Sequence, residues 1–428
     1  MSEIIEGGFT VPMPKLAPVK QLFASPNPLL NIETTINDIF LKPGFKNIVP
    51  GTSIALAVGS RGIEGIDKVV GLFIKQLKKL GALPFIVPAM GSHGGATAEG
   101  QLQVLKNYGI TAETMGAPIR SSMKVEKIGT LANGLPVYLD SEALKGDGII
   151  VINRIKPHTG FRGDFESGLL KMLAIGLGKH VGATTFHNCG LDKFAEDLPQ
   201  IGQLIIDSTP LIGGLAILEN AYHQTVGMEF LWAEEILRRE KELLLQAKKL
   251  MPKILVDNID VLIVNDFGKE ISGPGMDPNV TGRPVSPYIK LDNVINISKL
   301  VVLNLTPASK GNAVGIGVAD VTTKKFVDSI DLEYTYANSI TSTFLNSAKI
   351  PIYLNNDFEA IQVALKACPL VTHPNSRVVW IKNTLQLDQI FVSEALLPEI
   401  KGKSDLKITG EPKAMEFDKN GNLSYPFL

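Results

Sequence analysis

Three of the chain's six histidines fall in one stretch, "KPHTGFRGDFESGLLKMLAIGLGKHVGATTFH", from Lys156 to His187. They are His158, His180 and His187, and Lys171 stands between them, flanked by Leu169, Leu170, Met172 and Leu173. A lysine among leucines has two readings. It snorkels to water, or its amine is partly desolvated and serves as a nucleophile or covalent anchor. His93, in "GSHGGAT", is either a solvated loop imidazole or a proton carrier, since imidazole titrates near neutral pH. Its neighbours Ser92, Gly94 and Gly95 could expose backbone N–H groups to a phosphate ahead of a helix. His158 opens a long turn containing Arg162, Asp164 and Glu166, and two acids in such a loop read more readily as solvated than as a metal cage. His187 alone makes no structural zinc site, which takes four protein ligands. A metal there would draw most of its ligands from elsewhere. No nucleophile-elbow serine and no Walker A sequence is present, and His223 and His373 fit no pattern.

These groups need a frame to converge. Residues 54–58 form a short apolar run that predicts a buried strand, ending in the turn that carries Arg61. Ile66, Val69, Val70, Phe73, Ile74, Leu77 and Leu80 then follow at helical spacing, with Gly81 as the stop. "PFIVPA" predicts a second strand, and a helix follows from about Ala98 to Tyr108, with Thr97 as N-cap. "GIIVIN" (148–153) is a third strand, leading into the histidine stretch. Such alternation predicts a parallel α/β sheet, whose ligands bind beyond the carboxyl ends of its strands. Arg61, His93 and His158 each follow such an end. A long charged helix is expected over 228–250, closed by Pro252, after which the α/β pattern restarts at 261–266, 300–306, 351–355 and 378–383. The expected architecture is two α/β domains with mainly parallel sheets facing a central cleft. Their expected spans are 1–252, binding cofactor and carrying out catalysis, and 253–428, closing over the substrate.

A chain of 428 residues is too long for one core. Forty-two basic against 43 acidic residues leave a net charge of −1, so no nucleic-acid partner is expected. No run of about 18 apolar residues predicts a membrane span, and the N-terminus lacks the order of a signal peptide. The expected address is the cytoplasm. Cys189 and Cys368 read as reduced thiols. A homo-oligomer is compatible with these totals.

Together these pieces resemble the nickel-dependent lactate racemase family across nearly the whole chain. In that family a two-domain α/β protein holds a nickel pincer nucleotide, the nickel complex of pyridinium-3,5-bisthiocarboxylic acid mononucleotide. The resemblance implies that His93 and His158, 65 residues apart, are the two catalytic histidines. Lys171 looks like the lysine that tethers the cofactor covalently, and His187, 16 residues on, looks like the one protein ligand to nickel. Arg61 would hold the cofactor phosphate or the substrate carboxylate, with Ser92, Gly94 and Gly95 beside the cofactor. Asp277, Asn279 and Thr281 would meet the substrate. The implied reaction is racemisation or epimerisation at the α-carbon of a 2-hydroxy acid. One histidine takes the hydroxyl proton while hydride leaves to the cofactor, and hydride then returns to the other face. Two departures concern the substrate: Val58 stands where an acidic residue is expected, and Thr281 where the lactate enzyme carries lysine. Thr281, with Asp277, Asn279 and Arg283 in the same loop, points to a larger or more polar 2-hydroxy acid than lactate. The rival readings are a sugar-acid 2-epimerase using the same cofactor and a non-catalytic binder of a nucleotide or hydroxy acid.

Overall fold

A computed structural model describes residues 4–5, 8–60, 62–190, 193–286, 289, 291, 295–369 and 375–424. The chain forms two compact units, Ser25–Met251 and Met1–Ala24 with Pro252–Leu428. The first strand, β1 (Leu16–Gln21), lies in the second of these. It pairs antiparallel with residues 389–393 on one side and 406–408 on the other, with Leu16, Ala17 and Val19 buried. Expected in a first domain that starts at residue 1, strand Leu16–Gln21 lies instead in the sheet of the other unit.

The strands of the Ser25–Met251 unit are β2 (Ser53–Val58), β3 (Leu83–Pro88), β4 (Val125–Thr130), β5 (Pro136–Asp140), β6 (Gly148–Arg154), β7 (Leu211–Glu219) and β8 (Thr225–Trp232). Five of them form a sheet in the order β3-β2-β6-β7-β8, parallel until the antiparallel β7–β8 hairpin; β4 and β5 form a separate hairpin. Central parallel strands are covered on both faces, and this explains the unbroken apolar run of β2. Helix Ile66–Lys79 buries Val69, Val70, Phe73, Ile74 and Leu77 while Lys75, Lys78 and Lys79 stay exposed. Gly81 stops it in the left-handed region at φ 81°, where a glycine carries no Cβ penalty.

The charged helix begins later than its sequence suggests. It runs Ile236–Leu250, and Met228–Trp232 belongs to β8 instead. Phe230 is the reason: it is wholly buried in a ring cluster, 4.7 Å from Phe45 and 6.1 Å from Phe73 between centroids. Pairing with β7 satisfies the backbone around it.

The second unit adds β9 (Ile259–Phe267), β10 (Ile297–Leu305), β11 (Val321–Thr323), β12 (Ile352–Leu354), β13 (Val378–Ile381), β14 (Gln389–Ser393) and β15 (Leu406–Ile408). The sheet order is β12-β11-β10-β9-β13-β14-β1-β15, parallel from β12 to β13 and antiparallel beyond. Among the described residues, no helix is long and apolar enough to cross a membrane.

Candidate active site

Strands β3, β2 and β6 are adjacent and parallel, so their carboxyl ends share one edge of the first unit. His93 lies five residues beyond β3 and His158 four beyond β6. The loop after β2 meets the His93 loop directly, because the Ser60 hydroxyl and His93 Nδ1 form a hydrogen bond. Tyr108 fixes Ser60 in turn, its hydroxyl donating to the Ser60 carbonyl at 2.7 Å. Arg61 lies outside the described residues.

His93 is exposed at the start of a short turn, Gly94–Ala96. Gly94 is required there: at φ 67° an added Cβ would stand 2.6 Å from the Gly100 carbonyl carbon. Gly95 is different. It also has a left-handed φ, 66°, yet a Cβ would meet nothing within 4 Å, so its backbone borders open space. Ser92 is exposed beside it. As expected, Thr97 caps the following helix, accepting from Gly100 N–H at 3.0 Å.

The His158 loop is built around a carboxylate that the sequence left in solvent. Glu166 is buried, accepts from the His158 N–H at 2.7 Å, and pairs with Lys248 at 2.7 Å and Arg162 at 3.5 Å. Asp164 is exposed and pairs with Lys241 at 2.8 Å. The Gly160 N–H donates to His158 Nδ1 at 2.9 Å, which in the neutral ring puts the proton on Nε2. Rings then link His158 to His187: Phe161 lies 4.5 Å from His158, Phe194 5.2 Å from Phe161, and His187 5.1 Å from Phe194.

Lys171 ends a short helix, Leu169–Lys171, that continues into a π-helical turn, Met172–Gly176, and then helix Lys179–Asn188. Wide π turns are rare and concentrate at functional sites. Glu240 holds the beginning of this segment. Its buried carboxyl accepts from the N–H groups of Leu169 and Leu170, both at 3.1 Å, and burial pushes its pKa up to about 8. The π turn also joins the His93 loop, with Gly91 N–H donating to the Gly176 carbonyl at 3.0 Å. His187, in the last turn of the third helix, has its pKa lowered to about 4, first by burial and then by the nearby Lys171 ammonium. Its ring is therefore neutral at physiological pH, and among the described residues its buried Nδ1 has no hydrogen-bond partner. A neutral imidazole with an unused lone pair beside a lysine is what a metal-bearing group tethered to that lysine would need. Among the described residues no three His, Cys, Asp or Glu side chains gather as a metal cage, so a metal at His187 would depend on ligands from the bound group.

Sequence reading missed Lys179. It is wholly buried, has φ 53°, and pairs with Asp140 at 2.8 Å. Its ammonium also donates to the Pro88 carbonyl and, at 3.0 Å, to Gln101 Oε1. The Gln101 amide reaches on to the carbonyls of Gly91, at 2.9 Å, and His93, at 3.4 Å. One polar chain thus connects the His187 helix to the backbone of His93. Its only signal in the sequence was a lysine beside His180, which is itself exposed. His223 occupies the β7–β8 turn, and His373 lies outside the described residues.

In the second unit the loop from Gly268 to Arg283 stands where the parallel strand order reverses, at the carboxyl ends of β9 and β13, and such a switch point is where open α/β sheets bind ligands. Asp277 N–H donates to Thr384 Oγ1 at 2.8 Å there. The Asp277 carboxylate caps its own turn, accepting from Asn279 N–H at 2.9 Å and Asn279 Nδ2 at 2.7 Å. Thr281 is buried, its hydroxyl 3.5 Å from the Asp277 carbonyl. Arg283 turns away to the start of β10, donating to the carbonyls of Ile297 and Ser298 at 3.0 Å and to Asp320 at 3.1 Å.

Two solved structures share this fold. The lactate racemase apoprotein from Thermoanaerobacterium thermosaccharolyticum matches with a TM-score of 0.51 and 14% sequence identity, covering 87% of this chain and 99% of its own. A protein from Thermotoga maritima gives 0.51 and 14%, covering 83% and 97%. No protein-family model and no curated protein matches the sequence. The mixed α/β architecture with mainly parallel sheets is that of the lactate racemase apoprotein.

Proposed function

We propose that the protein is a racemase or epimerase that inverts the α-carbon of a 2-hydroxy acid, using a nickel pincer nucleotide joined covalently to Lys171. The observation that carries the proposal is the nearness of the Lys171 ammonium to a neutral His187, whose buried Nδ1 has no hydrogen-bond partner among the described residues. A likeness of fold to the lactate racemase apoprotein supports it.

In this reading Lys171 anchors the group, His187 ligates its metal, and the open backbone at Gly95 with Ser92 borders its phosphate. When bound, the group supplies a hydride acceptor, a role no side chain can fill. His93 and His158 move the hydroxyl proton, imidazole being the side chain that both accepts and donates near neutrality. Two are needed because the enantiomers present their hydroxyls on opposite sides. Ser60 orients one ring and Gly160 the other. Arg61 would hold a carboxylate or phosphate by paired hydrogen bonds, and the Asp277–Thr281 turn would border the substrate. The address proposed is the cytoplasm.

The test is intact and peptide mass spectrometry of protein purified from its native host, followed by chiral analysis of a panel of single-enantiomer 2-hydroxy acids that includes lactate and sugar acids. A nucleotide adduct on Lys171 and inversion of at least one acid are expected. An unmodified Lys171, together with no inversion of any acid, would leave the binder reading in its place.

A further inference from the structure

The helix that carries Lys171 is three residues long, Leu169–Lys171, and Gly168 before it has no side chain to cap it. So short a helix does not hold itself together. Its first N–H groups, those of Leu169 and Leu170, both donate to Oε2 of Glu240, far along the chain, at 3.1 Å. A Ser, Thr, Asp or Asn at position 168 would cap them more simply. The residue there is glycine because the remote carboxyl comes so close: an added Cβ would collide with Glu240 Oε1. Two more glycines make room for the leucines. A Cβ at Gly202 would collide with Leu170, and one at Gly214 would stand 2.9 Å from Leu169 Cδ1. Asn153 Nδ2 holds the Gly168 carbonyl at 2.8 Å. Glu240 is 1% exposed, and a carboxyl buried so deeply costs stability. What it gains is a fixed backbone immediately before Lys171.

The helix that carries Glu240 also holds the His158 loop. Glu240, Leu244 and Lys248 follow one another at four-residue spacing along one face of Ile236–Leu250. Lys248 pairs at 2.7 Å with Glu166 Oε1, and Glu166 Oε2 accepts the His158 N–H at 2.7 Å. Lys241, next to Glu240, pairs at 2.8 Å with Asp164 of the same loop. We infer that Glu240 is a positioning residue: by holding Leu169 and Leu170 against the helix that also holds the His158 loop, it sets where the Lys171 amine stands relative to His158. The inference rests on the reading of Lys171 as the tether and adds the group that places it.

The experiment compares Glu240→Met, Glu240→Gln and Gly168→Ala in two readouts. One is histidine NMR of the unloaded full chain, in which the His187 ring reports the nearby Lys171 ammonium. The other is the fraction of chains carrying the Lys171 adduct, by intact mass spectrometry of protein from the native host. Glu240→Met removes the acceptor. It should fold, displace the His187 resonances and lower the adduct fraction about tenfold or more, since a misplacement of about 1 Å costs about 10²-fold in rate. Gly168→Ala should do the same with the glutamate still present, because its Cβ drives the carboxyl aside. Glu240→Gln keeps an acceptor and should return both readouts to the parent values. A general loss of stability lowers the thermal midpoint without moving the His187 ring well below it. If Glu240→Met does not fold, Gly168→Ala decides. Parent readouts in either folded variant overturn the inference, as does a Glu240→Gln that behaves like Glu240→Met. Displaced His187 resonances in a protein whose parent form carries no adduct would uphold the placement of Lys171 by Glu240 and remove the tether reading instead.

Discussion

Lys179 and Asp140 meet at 2.8 Å with both side chains wholly buried. Burial pushes the Asp140 carboxyl up and the Lys179 ammonium down, each against the pull of the other. The pair ties the start of the His187 helix to the end of β5, and through Gln101 to the His93 loop. Removing one partner leaves the other buried and uncompensated, at a cost of about 3–5 kcal/mol. Lys179→Met should therefore lower the thermal midpoint strongly. Adding Asp140→Asn should restore most of it, since Oδ1 keeps the N–H groups of Glu142 and Ala143. Equal losses in the single and double variants would refute the pairing as the cause.

Gln101→Met isolates the next link. It leaves Lys179 and Asp140 paired but cuts the amide contacts to the Gly91 and His93 carbonyls. The expected outcome is a folded protein in which the His93 ring resonances shift by histidine NMR while those of His187 stay in place. No shift at His93 would mean that the loop is held by the Ser60 contact alone.

Two buried groups should tilt stability with pH in opposite directions. His187 titrates at about 4 when folded, against about 6.5 when unfolded. Its contribution is complete above the unfolded value and is lost as pH falls toward 4, by at most about 3 kcal/mol. Glu240 titrates at about 8 when folded, against about 4.3 when unfolded. Its contribution is complete below the unfolded value and is lost as pH rises through 8, by up to about 5 kcal/mol. Between about pH 4.3 and 6.5 the two slopes oppose and nearly cancel, and above about pH 6.5 Glu240 alone should lower the denaturant midpoint until about pH 8. His187→Phe should extend that decline down to about pH 4.3. Glu240→Gln, which keeps an acceptor for Leu169 and Leu170, should remove the decline and leave stability rising from about pH 4 to 6.5. Profiles unchanged in both variants would assign the slopes to other groups.

Local patterning carried what it could. The helix Ile66–Lys79 and strands β2, β3 and β6 were legible because their apolar periods are local, and the edge they share follows from their alternation. β1 was not legible, because its partners, residues 389–393 and 406–408, lie far along the chain and nothing near Leu16 announces them. Met228–Trp232 merged with the helix after it because a five-residue strand is too short for its period to prevail. The candidate site divides in the same way. His93, His158, Lys171 and His187 stood out by type and spacing. Glu240 and Lys179 did not. A glutamate in "RREKELLL" and a lysine in "LGKH" read as solvated charges, and only the packed structure reveals that each is buried and bonded.

The two-base mechanism makes a kinetic prediction. His93→Ala and His158→Ala should each lower turnover by roughly 10²–10⁴-fold, the usual worth of a positioned acid or base. Both variants should still carry the Lys171 adduct. Because each inversion uses one histidine on the entering enantiomer and the other on the departing one, and the equilibrium between enantiomers is fixed, kcat/KM should fall equally in both directions, checked by chiral analysis starting from each pure enantiomer. Parent rates in both variants would end the two-base reading.

Loading separates the roles of Lys171 and His187. The two lie close enough for the ammonium to depress the imidazole's pKa, so either substitution alters the surroundings of the other. Lys171→Ala removes the only amine proposed as the tether. It should fold, lack the covalent adduct by mass spectrometry, and let the His187 pKa rise, because the repelling charge is gone. His187→Ala keeps the amine and should keep the adduct, but it deletes a neutral imidazole whose buried Nδ1 has no hydrogen-bond partner among the described residues, so nickel content by elemental analysis should fall well below one per chain. The pKa readout uses unloaded protein and stands whether or not a cofactor is bound. A full complement of nickel in the Lys171 variant would move the anchor elsewhere, and an adduct that vanishes only in the His187 variant would exchange the two roles.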